Sequence, residues 1–348
     1  MKMMRYSGII CLLTLLFCGC GHTPVRHVFP AALPPATAES AVSLQRAEAF
    51  KKVLAPAKIK GVVLYPSAFE GRFDDRTVLQ AVSRLGFNRI YCRLTSEQEL
   101  DGRLREFLTV AAGYKIPVEI VFSQEDFFRR YRGNRLIRNC FIQYPDIAGA
   151  VKKLIGYQQE LPENIRVAGV TVILTPHLFD GVNVERIQGK LYRWHEKRYG
   201  IGQDNDMLMK ESLELAGKIS RLPQLPPLTI AIADFYHEHA AAGELSCGKV
   251  ADFAAVAKVA VVCSANLPSK LPGNISNELA AMPDGKKMLA FVPLAHHISV
   301  DRGKLRRRNW NDFQRSINNL IRKSAVSPAF DGVIVSPLSV IEFLRQEK

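Results

Sequence analysis

Hydrophobic positions along this chain fall into two alternating patterns. Short, nearly continuous apolar and β-branched runs appear at "KGVVLYPS" (60–67), "NRIYCRLT" (88–95), "PVEIVFS" (117–123) and "VAGVTVILT" (167–175). Four more follow at "LTIAIADFY" (228–236), "KVAVVCSA" (258–265), "KMLAFVPLA" (287–295) and "DGVIVSPL" (331–338). Runs without polar alternation predict strands covered on both faces, as in a parallel sheet.

Between them lie stretches with helical spacing. "DDRTVLQAVSRLG" opens on capping carboxylates and stops at a glycine, the start and stop signals of a helix. "DGRLREFLTVAAGY", "PDIAGAVKKLIGYQQEL", "DNDMLMKESLELAGKIS" and "NWNDFQRSINNLIRKSA" carry the same period. The sixth crossover, around "NISNELAAM", is short, and "SVIEFLRQEK" reads as a closing helix. Eight strands alternating with helices predict an α/β protein, a (β/α)8 TIM-type barrel. An open doubly wound sheet is the alternative. No GxGxxG follows the first strand, so dinucleotide binding has no support and no cofactor is expected.

The N-terminal end follows a different rule. Lys2 and Arg5 precede a short apolar core, Ile9 to Phe17, too short to span a bilayer as a mature helix. Residues 1–19 therefore read as a secretory signal, excluded from the fold. Its end, "FCGC", resembles the bacterial lipobox. That resemblance makes Cys20 the lipidated first residue of the mature chain, anchored to a membrane. Gly21, rather than aspartate, follows it. By resemblance to enterobacterial sorting this favours the outer membrane, with the domain in the periplasm or outside. Plain secretion with Cys20 unmodified is the alternative. Residues 20–45 are rich in Pro and Ala and lack periodicity, which predicts an extended tether. The barrel is expected over 46–348.

Charge narrows the partners. Removing Lys2 and Arg5 from the 47 basic residues leaves 45 against 33 acidic ones, near +12. Such an excess favours anionic partners. Export makes nucleic acid the least favoured, so headgroups or acidic glycans come first. Cys92 and Cys263 lie in apolar runs and read as small core residues, whereas Cys140 and Cys247 lie in loops and could pair after export.

Functional groups of such barrels come from the C-terminal strand ends and the loops after them. Those places hold Tyr65, Arg93, Ser123, Gln124, Thr175, His177, Asp234, Tyr236 and Ser336. "VAGVTVILTP" resembles the fourth strand of glycosidase-type barrels, including the family 18 chitinases. Their motif runs roughly glycine, apolar, any, apolar, aspartate, apolar, glutamate. Aligning Gly169 and Pro176 puts Ile173 at the aspartate and Thr175 at the glutamate. Neither can protonate a leaving oxygen or orient an acid, so two-carboxylate hydrolysis is not carried there. Asp234 and Glu238 are the best substitute pair, with Glu125 and Asp126 across the barrel. Their bland reading is a hydrogen-bonded mouth residue and a solvated loop residue.

"HEH" (237–239), His296, His297 and His177 raise the question of zinc, since i, i+2 histidines of one strand end point the same way. The segment lacks HExxH spacing, and no metal is expected. Basic residues cluster more strongly. Arg129, Arg130, Arg132, Arg135 and Arg138 follow strand three. Arg186, Lys190, Arg193, Lys197 and Arg198 follow strand four, and Arg302, Lys304, Arg306, Arg307 and Arg308 follow strand seven. Aromatics such as Tyr131, Tyr192, Trp194 and Trp310 are interleaved. Arginine forks suit carboxylate and phosphate, and aromatic faces suit sugar rings.

The leading expectation is an envelope lipoprotein that binds, or atypically processes, an anionic glycan at a basic mouth. Its expected ligand contacts are Tyr65, Arg93, His177, Tyr236, Arg306, Arg307 and Arg308. A structural or assembly lipoprotein contacting a protein or lipid headgroups is the alternative. A metal-dependent hydrolase centred on the strand-five histidines is a third.

Overall fold

A computed structural model describes residues 41–64, 74–124, 147–176, 203–263, 275–292, 300–301, 304–305 and 310–335. Eight strands form a closed parallel barrel: β1 Ile59–Leu64, β2 Arg89–Leu94, β3 Val118–Ser123, β4 Gly169–Ile173, β5 Leu228–Ala233, β6 Lys258–Val262, β7 Met288–Val292 and β8 Phe330–Val335. Each strand pairs with its neighbour in sequence, and β8 closes the ring on β1, with Ile59 opposite Gly332. This is the (β/α)8 barrel expected from the apolar runs. Every strand starts within two residues of its predicted start.

Strand alternation separates two cores. Val62, Leu64, Ile90, Cys92, Ile120, Phe122, Val170 and Val172 face the helices and join the larger cluster. Ile59, Val63, Tyr91, Val121, Ile173, Ala231, Ala260, Leu289, Phe291 and Ile334 face inward and fill the barrel. The interior is packed rather than hollow, as is usual for this architecture.

Helices cover the outside: α1 Ala41–Leu54, α2 Asp75–Arg84, α3 Gly102–Gly113, α4 Ile147–Gln159, α5 Gln203–Ser220, α6 Phe235–Ala241, α7 Val250–Ala254, α8 Ser276–Ala280 and α9 Trp310–Ser324. The start signals worked as chemistry. Asp74 caps α2 by accepting from the Thr77 N–H at 2.8 Å, which holds its carboxyl below the ordinary pKa. Asp101 caps α3 through the Leu104 N–H at 3.1 Å. Arg103 of α3 then forks onto Asp75 of α2 at 2.6 and 2.7 Å, joining the two helices. Gly86 follows α2 at φ +82°, a conformation that favours glycine.

Helix α1 was not expected, and it begins inside the span read as tether. Ala47, Phe50 and Leu54, spaced three and four apart, are buried. The helix packs against α9 and α2, and the Phe50 ring meets Phe87 edge-on at 5.9 Å. The Pro- and Ala-rich run upstream hid this stripe. The fifth crossover holds two helices, α6 and α7, where the sequence pattern carries the strand to Tyr236 and marks no helix before 258.

The N-terminal pole of the barrel carries buried charge. Arg89 Nη1 lies 2.5 Å from Glu119 Oε1, and Thr171 donates to Glu119 Oε2 at 3.1 Å. Lys258 meets Asp331 at 2.5 Å. These groups sit toward strand starts, opposite the functional end; Glu119 links β2, β3 and β4, and the Lys258–Asp331 pair reaches from β6 across β7 to β8. The inward-facing Tyr91 ring passes over Gly61, where an added Cβ would lie 2.3 Å from the ring. Burial, then the nearby Glu119 charge, raises the Tyr91 pKa and keeps its hydroxyl neutral.

Candidate functional site at the barrel mouth

The C-terminal strand ends define the mouth. Arg93 is half-buried and shares the inward face of β2 with Tyr91. Ser123 shares the inward face of β3 with Val121 and is 2% exposed. On β4 the position aligned with the glycosidase aspartate is Ile173, which belongs to the inner apolar cluster. Two residues on, the Thr175 N–H donates to Gln124 Oε1 at 2.8 Å. The Thr175 hydroxyl is buried and makes no hydrogen bond. The fourth strand therefore presents an isoleucine and a hydroxyl where a two-carboxylate site would be built.

Strand five requires a correction. Its ladder ends at Ala233, and residues 235–241 form α6 instead of continuing the strand. In a helix, i and i+2 lie roughly 200° apart, so His237 and His239 do not share a face. His237 Nδ1 accepts the Val250 N–H at 3.3 Å. Burial, then the Lys249 charge, holds its pKa below the ordinary value, in keeping with an unprotonated acceptor nitrogen. His239 Nδ1 lies 2.5 Å from Glu244 Oε2. Both imidazoles thus brace the fifth crossover. Among the described residues, no three His, Cys, Asp or Glu side chains converge as metal ligands would.

The same turn puts the expected carboxylate pair four residues apart at the start of a helix, both within electrostatic reach of Glu278, but in different surroundings. Asp234 is buried at 3% exposure, while Glu238 projects from α6 into solvent. Tyr236 is fully enclosed in the helix–strand core against Phe235, not presented to the mouth. The apolar–aromatic continuation "ADFY" carries a strand-like composition past the end of the ladder at Ala233. The chain instead turns at Asp234, whose backbone is already helical.

The structure adds a carboxyl that the sequence did not single out. Glu278 on α8 is 1% exposed, and neither oxygen has a hydrogen-bond partner beyond its own backbone. Burial, reinforced by Asp234 and Glu238, pushes its pKa up to about 8. It is therefore largely protonated at neutral pH, next to the start of α6. Only its place in an otherwise apolar segment, "ISNELAAM", could have marked it. Cys263 is buried in the same region, and burial holds its thiol well above the ordinary range. Cys92 is likewise buried, and both are the core residues expected.

Several expected positions lie outside the described residues: Cys20, Tyr65, Glu125, Asp126, Cys140, His177, His296, His297, Arg306, Arg307, Arg308 and Ser336. So do the basic stretches after β3 and β4. Within the seventh connection, Val300–Asp301 and Lys304–Leu305 form a short antiparallel ladder with Asp301 opposite Lys304.

No family model matches this chain, and no curated protein matches it. Solved structures with a related arrangement include a chitinase from Chromobacterium violaceum, 13% identical, covering 67% of this chain and 68% of the other at a TM-score of 0.40. An intracellular xylanase from Thermoanaerobacterium saccharolyticum is 9% identical over 82% and 87% of the two chains, also at 0.40. A protein provisionally named a lyase/mutase, from Burkholderia cenocepacia, is 14% identical over 88% and 87%, again at 0.40. Barrels of this kind host many chemistries, and these likenesses assign no reaction to the chain.

Proposed function

We propose that this chain is an envelope lipoprotein, anchored through Cys20, whose barrel binds or atypically processes an anionic glycan at a basic C-terminal mouth. The observation that carries the reading is topological. The parallel barrel puts the ends of β3, β4 and β7 on one rim. The chain continues from each of those ends into a stretch with five basic residues. The described mouth adds the inward-facing Arg93. Field from several cations around one low-dielectric rim is additive and attracts polyanions.

The fourth strand has no carboxylate, and of the two that follow the fifth, Asp234 is buried and Glu238 is exposed. The test is binding of purified protein to matched acidic and neutral polysaccharides at low salt. Preference for the acidic polymers supports the reading. Indifference to charge moves the protein toward a scaffold role. Anchoring is tested separately: Cys20→Ser should release the protein from the membrane fraction, and unchanged fractionation contradicts the lipid anchor.

A further inference from the structure

The Thr175 hydroxyl is an orphan held in a fixed place. Its oxygen is buried without a partner, yet the backbone N–H of the same residue is pinned by Gln124 Oε1. Gln124 is itself 1% exposed, so this support is rigid. A buried hydroxyl left unpaired costs stability, and a native protein that keeps one calls for an explanation.

The neighbours suggest what completes it. Ser123 lies opposite Ile173 in the β3–β4 register, and its hydroxyl shares the inward face with Val121. Arg93 lies opposite Val121 in the β2–β3 register and shares the inward face with Tyr91. A guanidinium fork on β2, a hydroxyl at the end of β3 and a hydroxyl two residues past β4 thus stand at three adjacent strand exits, next in sequence to the inward-facing Val121 and Ile173. The fork geometry of arginine matches a planar carboxylate.

We infer that Arg93, Ser123 and Thr175 form a subsite for the carboxylate of a uronic-acid sugar residue, with the guanidinium pairing to it and the hydroxyls donating to the same residue. This rests on the proposed anionic-glycan mouth and names where within it the acid group sits.

The experiment is calorimetric binding of a panel of uronate oligosaccharides, and of neutral oligosaccharides of matched length, to the protein and three variants. Thr175→Val keeps the shape and removes the orphan. It should melt at the same or a higher temperature than the parent, yet bind uronates about two- to tenfold more weakly. A purely structural threonine would not give that opposite pair of changes. Arg93→Gln should weaken uronate binding about ten- to a hundredfold and leave neutral sugars unaffected. Thr175→Val and Arg93→Gln both binding uronates as the parent does would overturn the subsite. If Arg306/Arg307/Arg308→Ser alone weakens binding, the subsite fails while the basic mouth stands. No uronate binding by the parent at low salt removes both.

Discussion

The carboxyl of Glu278 is buried within electrostatic reach of Asp234, so the two resist being charged together. The folded protein keeps the Glu278 proton up to about pH 8, whereas the unfolded chain releases it near 4.5. Between those values unfolding releases a proton, so stability falls as pH rises across the window. At about 1.4 kcal/mol per pKa unit, the whole decline amounts to a few kcal/mol. Denaturant unfolding from pH 4.5 to 9 should show it. Glu278→Gln should flatten the curve, and Asp234→Asn should move the end of the decline to lower pH. A profile unchanged by Glu278→Gln would show that this carboxyl is not the source.

Arg89 and Glu119 provide a second test, on the opposite pole. Arg89→Met strands a carboxylate that is 5% exposed, with Thr171 as its remaining side-chain donor. Breaking a buried pair from one side typically costs about 3–5 kcal/mol. Replacing both partners, Arg89→Met with Glu119→Leu, should recover most of the loss. A single variant as stable as the parent would contradict the buried-pair account.

Gly61 tests the packing of the barrel interior. Ala at this position puts a methyl 2.3 Å from Tyr91 Cε2 and 2.8 Å from Cδ2. Overpacking of this kind costs about 1–3 kcal/mol. Tyr91→Leu in the same background should relieve the clash, so the double variant should lose less than the two single losses added. Strict additivity would place the Gly61 effect elsewhere.

The barrel was legible in the sequence because parallel strands covered on both sides cannot avoid continuous apolar runs. "KGVVLY" and "KMLAFV" announce themselves without any alignment. Strand exits were less legible. "LTIAIADFY" keeps its apolar character past Ala233, but those later side chains are buried as a helix, so the same composition serves two backbones. Helix α1 was masked by the Pro- and Ala-rich run it follows. Glu278 was invisible for a different reason. Its pKa is set by burial and by Asp234 and Glu238, roughly 40 residues away in sequence, and no local pattern encodes that meeting. Arg93 and Thr175 were legible as strand-exit positions because the alternation of strands and helices marks where each strand ends.

The most direct test of the central claim is the salt dependence of binding to an acidic polysaccharide. Purified protein and the Arg306/Arg307/Arg308→Ser variant should be titrated with matched acidic and neutral polymers across increasing ionic strength. Surface charge interactions are screened over about 8 to 10 Å at physiological salt. The account predicts that acidic binding weakens steeply with salt. The triple variant should bind about ten- to a hundredfold more weakly, from roughly 0.5–1 kcal/mol per exposed charge, without loss of fold. Neutral polymers should be little affected. Equal binding of the acidic polymer by both proteins, or no binding by either at low salt, would contradict the basic-mouth account.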